Sequence, residues 1–443
     1  MFYYYLWCNL ISLVAGGVII ICQGSRAAIE LLAHPARYVM WKIRMARKRT
    51  ADSLPFTPAV FRWARDRAGY SLDDAAKKLA LSKEILSDWE SDDGTFAPTV
   101  KQARDLAALY GRSFLEWFLP AAPELPEPKR IPDFRLYRGA DDPSDTRELL
   151  DAQLWAETQR ENALDLYSEI GEDVPQVPEN VFATIESDVD AVAATVRDAM
   201  QFPIEQQAGL ITTQQRAGIP NLIRDKIESL GILTLRKSDL NRYQVGGFCI
   251  AEFPLPVIVF TSESPNAQAF TLGHELAHVL LRQSAISGAI PRQGGDPDVR
   301  RVEDWCNKFA GAFLIPRQTM LARHPIPNMP REAIPDSDIS ELAIYFGVSE
   351  HAMLVRLVEL NYVDASYYWD VKKPIYNEEE KNFRAFGRPK FYGRRYASSL
   401  GTLYTSLVIE AWNAGRITNH NAAEFMGIKN LAHLHDIRED FGT

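Results

Sequence analysis

Two histidines and a glutamate with the spacing H-E-x-x-H stand out in FTLGHELAHVLL, residues 270–281. On a helix, His274 and His278 lie one turn apart on the same face, where both imidazoles can hold one Zn²⁺. Glu275 then lies beside the open coordination position, where a carboxylate can take a proton from water. These residue types at this spacing predict metal-assisted hydrolysis, with His274 and His278 as ligands and Glu275 as the catalytic base.

A zinc site of this kind needs a third protein ligand. Further along the chain, VEDWCNKFAGAFLIP, residues 302–316, has the apolar periodicity of a second helix. Glu303 is the predicted third ligand, and Asn307, one turn on and on the same face, is predicted to support a ligand by a hydrogen bond. Asp304 and Cys306 compete for the ligand role. Cys306 points roughly a quarter-turn away, and a single cysteine among aromatic residues is usually a packing residue.

The segments around H-E-x-x-H predict the elements that position it. PVIVFTSE, 256–263, has the pattern of a strand, and SPNA forms a turn before a helix with Thr271 as its N-cap. YQVGGFCIAEFPLPVIVFTS, 243–262, predicts a hairpin in a small mixed sheet, in which Gly246-Gly247 marks a turn or bulge. A strand edge beside a metal helix can hold an extended peptide.

F-T-L-G-H-E-L-A-H followed by E-D-W-C-N-K-F-A-G-A-F-L-I-P resembles the ImmA/IrrE family of bacterial metallopeptidases. The usual motifs of that family are close to F-T-x-A-H-E-L-x-H and E-x-x-A-N-x-F-A-x-x-L-L-M-P. Cys306 replaces the usual Ala and Ile315 the usual Met, and neither change threatens the zinc site. The resemblance implies a zincin-like fold and zinc-dependent cleavage of a partner protein, typically a transcriptional repressor or antitoxin-like regulator.

The segment 58–119 predicts five short helices, in which Ser71, Ser82, Thr99 and Ser113 cap the second to the fifth. The order of these helices and the pattern A-A-K-K-L-A-L-S-x-x-x-L-x-x-W-E resemble the helix-turn-helix of Cro/CI (XRE-type) repressors. In that family the third helix enters the major groove of DNA.

The helix expected in the groove is acidic, which weakens the prediction of DNA binding, because phosphates and guanines are contacted by Lys and Arg. The residues predicted to contact DNA are Ser82, Lys83, Ser87 and Arg62. The acidic residues expected to face solvent on this helix or to follow it are Glu84, Asp88, Glu90, Asp92 and Asp93. The cations expected to reach the DNA backbone are Arg47, Lys48, Arg49, Arg62, Arg65 and Arg67. The alternative is a charged small domain that docks to protein.

Composition divides the chain into an extension at 1–44, the helix-turn-helix domain at 45–119, a Pro-rich linker at 120–132, the peptidase domain at 133–372 and a helical C-terminal region at 373–443. The extension has no charged residue before Arg26 and basic residues after it, so it is either a membrane anchor or a stretch upstream of a true start at Met45. A signal peptide fits less well, because no basic residue precedes the apolar run. Both interpretations place the functional part in the cytoplasm, and four cysteines without C-x-x-C spacing fit a reducing compartment.

The predicted fold class is mainly α, multidomain (α+β). A five-helix Cro/CI-like module precedes a zincin-like peptidase domain with a small mixed sheet, and a helical tail ends the chain. His324 and Tyr243 are candidates for transition-state stabilisation, although a spare loop histidine is usually a surface residue. His351 is expected at the surface, and no metal role is expected for His433 and His435.

Two functions follow from this organisation. The first is a regulatory zinc peptidase that finds its protein target through the helix-turn-helix module. The second is an XRE-type regulator in which the zincin domain is a sensor or scaffold with little cleavage. Double-stranded DNA and a second copy of the chain are the further expected partners, and no nucleotide cofactor is expected. A net charge of −9 argues against a protein that coats nucleic acid broadly.

Overall fold

The computed structural model describes residues 47–48, 54–123, 145–238, 240, 245–288, 297–323, 330–376, 392–428 and 430–441. The chain divides into two compact units, Met1–Pro128 and Lys129–Thr443. The extension at 1–44 and most of the linker at 120–132 lie outside the described residues. Within the described ranges, no helix has both the length and the apolar character needed to cross a membrane.

The first unit consists of short helices that begin at hydroxyl-bearing caps. Its elements are β1 (Arg47–Lys48), α1 (Pro58–Arg67), α2 (Leu72–Lys78), α3 (Lys83–Trp89), β2 (Phe96–Ala97) and α4 (Val100–Tyr110), followed by a 3₁₀ helix at Phe114–Phe118. The side chains of Ser71, Ser82, Thr99 and Ser113 accept backbone N–H groups of the helices that follow them, as the sequence predicts. The fifth predicted helix is therefore present, as a 3₁₀ rather than an α-helix.

The core of the first unit is rich in aromatic residues. Phe61, Trp89 and Trp117 are almost completely buried, and the indole N–H of Trp117 donates to the carbonyl of Ala103 on α4 at 2.8 Å. Large aromatic side chains bury much apolar surface for their number, which suits a unit of this size.

The second unit is mostly helical around one small sheet. Its helices are α5 (Asp145–Ile170), α6 (Val189–Ala199), α7 (Ile204–Ala208), α8 (Thr213–Arg216), α9 (Ile219–Glu228), α10 (Pro265–Leu280), α11 (Pro297–Leu314), α12 (Arg317–Arg323), α13 (Asp336–Phe346), α14 (Glu350–Glu359), α15 (Tyr392–Leu400), α16 (Thr402–Asn413), α17 (Asn419–Phe425) and α18 (Ala432–Phe441). A π-helix occupies Tyr367–Lys372 and a 3₁₀ turn Glu179–Val181. The strands are β3 (Leu233–Arg236), β4 (Val245–Ile250), β5 (Val257–Phe260) and β6 (Ala285–Gly288).

The four strands form a mixed sheet in the order β3-β5-β4-β6. β3 and β5 run parallel, whereas β4 is antiparallel to both β5 and β6, so the predicted hairpin is present as β4 and β5. The pairing of β4 with β6 shifts register between Val245 and Gly247, which is the bulge that the glycine pair predicts.

Helices cover both faces of the sheet, which is why its central strand is buried throughout. Ile258 and Phe260 of β5 pack in one core with α9, α10 and α11. Val257 and Val259, which point the other way, pack in a second core with α5 and with the helices of the C-terminal region. The helical tail thus covers one face of the sheet that bears the metal helix on its other face.

Gly401, between α15 and α16, is required by close contact with the body of the unit. It has φ +83°, and a Cβ there would lie 2.7 Å from the carbonyl oxygen of Thr234 and would clash with the carboxylate of Glu228. The Glu228 carboxylate also accepts the backbone N–H of Leu403 at 2.8 Å. Glycine at this position lets the tail approach β3 closely.

Three local predictions are wrong. α10 begins at Pro265 with Ser264 as its N-cap instead of at Thr271, because a Ser-Pro pair supplies both a cap and a residue preorganised for the first turn. The polar, Pro-rich sequence from Pro316 to Pro335 predicts a loop, but this segment begins with α12. The aromatic and basic sequence at 365–390 predicts an extended segment, but residues 365–376, its described part, are helical.

Candidate metal centre

Two packed helices bring the predicted ligands together. α10 carries His274 and His278 at i, i+4, and α11 carries Glu303 near its amino end. The helices approach closely because Gly273 faces Ala310, where an added Cβ would lie only 3.4 Å from the alanine Cα. Small residues at the contact let the longer side chains of the two helices meet.

The three ligand atoms converge on one point. The Nε2 atoms of His274 and His278 are 3.3 Å apart, and the Glu303 carboxylate oxygens lie 3.7 Å and 3.2 Å from them, respectively. Within the part of the chain that the structure describes, these residues form the one group of three His, Cys, Asp or Glu side chains with ligand atoms all within 4.8 Å. All three are buried.

The electrostatics of the group favour positive charge at its centre. Burial by itself raises the pKa of the Glu303 carboxyl, but hydrogen bonds from His274 and His278 outweigh burial and hold that pKa well below its ordinary value. Burial likewise lowers the pKa of His274, yet the hydrogen bond and charge of Glu303 raise it overall. A carboxylate kept ionised between two imidazoles suits a cation ligand set.

Asn307 fixes the orientation of the first histidine. Its side-chain NH₂ donates to the backbone carbonyl of Glu303 at 2.7 Å, which leaves its Oδ1 3.1 Å from Nδ1 of His274. Because the amide oxygen can only accept, His274 donates to it through Nδ1–H, and Nε2 is the ring nitrogen turned toward His278 and Glu303.

Glu275 is fully buried between the metal helix and the sheet. A Cβ on Gly247 of β4 would lie 3.0 Å from Cγ of Glu275, 2.8 Å from Cγ2 of Thr271 and 2.8 Å from the carbonyl oxygen of Val259. Glycine at 247 is therefore what allows the strand to lie against the Glu275 side chain. The sequence predicts a turn or bulge at Gly246-Gly247 but not this contact. Two adjacent glycines in a strand pattern are nevertheless a signal that another group approaches the backbone closely.

The competing ligands lie elsewhere. Asp304 is exposed, and Cys306 is buried among the apolar side chains of the core around α10 and α11. Burial, together with the charges of Glu303 and Glu275, raises the pKa of the Cys306 thiol well above its ordinary value. Among the described residues, the group with converging ligand atoms does not include Cys306, which therefore acts as a packing residue.

Of the remaining predicted residues, Tyr243 and His324 lie outside the described residues. His351 is partly buried instead of at the surface, with Nε2 2.8 Å from the hydroxyl of Tyr368 and its ring stacked on Tyr376. His433 and His435 pack beside different aromatic rings.

The helix-turn-helix domain exposes less negative charge than its sequence predicts. Lys83, Ser87 and Arg62 are exposed, and Ser82 is half-buried with its hydroxyl capping α3. Asp88 does not face solvent freely, because its carboxylate accepts the backbone N–H groups of Thr95 and Phe96 at 2.9 and 2.7 Å.

A buried ion pair removes a second acidic side chain from that surface. Glu90 is 4% exposed, and its carboxylate accepts three hydrogen bonds from Nε and Nη2 of Arg65, at 2.8, 3.0 and 3.1 Å. Arg65 also donates to the carbonyl of Tyr70 at 2.7 Å. The expectation that Arg65 contacts the DNA backbone is wrong, since Arg65 and Glu90 pair with each other inside the fold.

Comparison with known families locates both regions. Residues 227–358 match the family model described as the IrrE N-terminal-like domain, and this range includes His274, Glu275, His278, Glu303 and Asn307. Residues 61–117 match the helix-turn-helix family model. The comparisons with curated proteins and with solved structures give no match. The predicted pairing is confirmed: the chain carries an XRE-type helix-turn-helix domain followed by an IrrE N-terminal-like domain of the M78 peptidase type.

Proposed function

We propose that the protein is a zinc-dependent endopeptidase of regulatory type that cleaves a partner protein such as a transcriptional repressor. The observation that carries the proposal is the buried group of His274, His278 and Glu303 with Glu275 next to it on the same helix. Two imidazole nitrogens and one carboxylate are a donor set that suits Zn²⁺ and leaves a coordination position for water or substrate. The residues present therefore fit the ion.

Each side chain has a distinct part in the proposed reaction. A zinc ion held by His274, His278 and Glu303 supplies Lewis-acid chemistry and an acidified water. The Glu275 carboxylate accepts a proton from the attacking water and passes it to the leaving amine. Asn307 holds the His274 ring in one tautomer. Burial keeps bulk water away from these groups, so their charges act in a medium of low dielectric.

The test combines metal content with cleavage. The full chain is purified, zinc per chain is measured, and the protein is incubated with repressor-type proteins encoded beside its gene. We expect one zinc per chain and cleavage at a defined bond. Glu275→Gln should retain zinc and lose cleavage by about 10²-fold or more, because the proton acceptor is gone while the ligands remain.

Two further variants control for the ligand assignment. Glu303→Ala should lose zinc, whereas Asp304→Ala, which removes an exposed carboxylate one position along the same helix, should leave zinc content and cleavage unchanged. A wild-type chain without zinc would contradict the ligand set. Zinc without cleavage of any candidate would favour the sensor or scaffold role.

DNA binding by the helix-turn-helix domain is the second candidate function. Two of the acidic side chains that argued against it are held inside the fold by Thr95, Phe96 and Arg65. In addition, β2, the first strand after the helix expected in the groove, pairs with β1. Arg47 of β1 lies opposite Ala97, and Lys48 lies opposite Phe96. Fewer acidic side chains than the sequence pattern suggests therefore oppose contact with DNA.

A salt titration tests this second function. Binding of the full chain to DNA from its own upstream region is measured across salt concentrations. Arg62→Ala and Lys83→Ala should each weaken binding and reduce the slope of log K against log salt by about 1. Lys101→Ala, on α4 and 88% exposed at its side chain, is the matched control. Equal slopes in all variants would assign the domain to protein docking.

A further inference from the structure

A second polar site lies on α11, beyond the metal centre. A cavity of about 640 Å³ is lined by side chains from four helices, among them Asp190, Lys308, Arg317, Arg356, Glu359 and Asn361. Its volume is in the range of small-molecule sites in proteins.

The floor of the cavity is a buried charged cluster. Arg356, 2% exposed, donates to the carbonyl of Ile315 at 3.3 Å, to the Glu359 carboxylate at 3.3 Å and to the Asp190 carboxylate. The Glu359 carboxylate lies against Gly311 of α11, where an added Cβ would be 3.3 Å from its oxygen. Buried charges are costly unless they are paired, and here the Arg356 guanidinium is paired with both carboxylates.

Lys308 and Arg317 at the edge of the cavity add positive charge that is only loosely paired with these acids. Lys308 has no carboxylate within 4 Å among the described residues, and the nearest carboxylate to Arg317 is Asp190 at 3.9 Å, which Arg356 already engages. Lys308 and Arg317 are both exposed. Three cations therefore line the cavity beside two carboxylates, which leaves an excess of positive charge. The two exposed cations, Lys308 and Arg317, lie at the open edge where a ligand would enter.

Burial of the Glu359 carboxyl increases this excess of positive charge. It raises the pKa of Glu359 to about 7, against the opposing effect of Arg356, so part of the negative charge on the floor is absent near neutral pH. A protonated carboxyl can also donate a hydrogen bond to an anion, which a carboxylate cannot.

We propose that this cavity is a binding site for a small anion bearing a phosphate or carboxylate group, held by the exposed side chains of Lys308 and Arg317 beside the Arg356 cluster. A guanidinium can bind two oxygens of such a group in parallel, and an ammonium adds a point charge. The site does not depend on peptidase activity. Lys308, which lines the cavity, follows Asn307 on α11, and Glu303 lies one turn before Asn307 on the same helix. An occupant of the cavity therefore contacts the helix that supplies the third predicted metal ligand.

The test uses two probes with the full chain. Inorganic phosphate is followed by ³¹P line broadening and succinate by saturation-transfer NMR, both at constant ionic strength. We expect saturable binding of at least one probe to the wild type. Binding of phosphate alone identifies a phosphate-bearing ligand, and binding of succinate alone a carboxylate.

Three variants distinguish this cavity from other anion sites on the protein. Lys308→Ala/Arg317→Ala should weaken binding at least about tenfold, because two charge-assisted contacts are lost. Lys308→Arg should retain binding, which separates loss of charge from disturbed folding. The control Arg301→Ala/Arg416→Ala removes two exposed cations elsewhere and should bind as the wild type does. Equal binding by the wild type and the Lys308→Ala/Arg317→Ala variant, or no saturable binding of either probe, would overturn the proposal.

Discussion

Nδ1 of His274 lies 3.1 Å from Oδ1 of Asn307, and the Asn307 amide nitrogen is itself held by the backbone carbonyl of Glu303. One asparagine thus connects a ligand on α10 with the ligand-bearing turn of α11. It fixes both the tautomer and the ring orientation of His274, which metal sites commonly achieve with such an outer hydrogen bond.

Asn307→Ala should therefore lower the zinc affinity by about 10–100-fold while leaving all three ligands in place. Competition with a chelator measures the affinity directly and does not require that a substrate be known. Asp304→Ala, on the exposed side of the same helix, is the control. An unchanged affinity in Asn307→Ala would mean that the ring of His274 is held by packing alone.

Gly247→Ala should displace the Glu275 side chain from its position beside the predicted metal ligands. The new Cβ would lie 2.8 Å from the backbone oxygen of Val259 and 3.0 Å from Cγ of Glu275, so strand or helix must shift, at a cost of roughly 1–3 kcal/mol. Denaturant unfolding measures the loss of stability, and cleavage assays measure the displacement of Glu275.

The neighbouring glycine offers a matched control for that experiment. A Cβ on Gly246 would come no closer than 3.5 Å to Thr271, an ordinary contact. Gly246→Ala should thus be nearly neutral in both measurements. Equal effects of the two substitutions would contradict the close approach of β4 to Glu275.

The sequence predicts best what depends on local periodicity. The spacing of His274 and His278 places them on one helix face, and Glu303 and Asn307 fall on one face of a second helix, so convergence needs only that the two helices pack. The structure does bring these side chains together. Their chemical roles remain a prediction that the proposed experiments test.

Features that depend on contacts between distant residues could not be predicted. The strand β6 has little periodic signal of its own and exists because β4 offers it a partner. Glu90 follows an acidic helix, and nothing near it in sequence reveals that Arg65, on another helix, pairs with it inside the fold. A charged residue's burial depends on its partner in space and not on its neighbours in the chain.

The pair of Arg65 and Glu90 should dominate the stability of the helix-turn-helix unit. The side chains are 10% and 4% exposed, and Glu90→Gln leaves the buried guanidinium with only the exposed carboxylate of Asp66, 2.7 Å away, as counter-ion. The variant should therefore lose about 1–3 kcal/mol of stability. The exposed pair of Lys101 and Asp105 is the contrast, and Asp105→Asn should have little effect. Thermal unfolding followed by circular dichroism compares the stabilities of Glu90→Gln and Asp105→Asn. Similar losses of stability in both variants would show that the buried pair contributes no more than a surface pair.

Glu359 should make stability fall as pH rises toward neutrality. Burial raises its pKa in the folded protein to about 7 from an ordinary value of 4.5, although the charges of Arg356 and Lys308 oppose this and that of Asp190 adds to it. Below about pH 4.5 the carboxyl is protonated in both folded and unfolded chains, so the favourable contribution is complete there. Between about pH 4.5 and 7 the unfolded chain loses its proton first, and this contribution is progressively lost.

Glu359→Gln removes the titration and isolates its effect. The free energy of unfolding of the wild type minus that of the variant should decrease from about pH 4.5 to 7 and level off above about pH 8, with a total change on the order of 3 kcal/mol. Denaturant unfolding at a series of pH values measures this difference, in which the contributions of all other groups largely cancel. Glu341→Gln, at an exposed position on α13, should give a difference that does not change with pH. A flat profile for Glu359→Gln as well would mean that Arg356 keeps the Glu359 carboxylate ionised despite its burial.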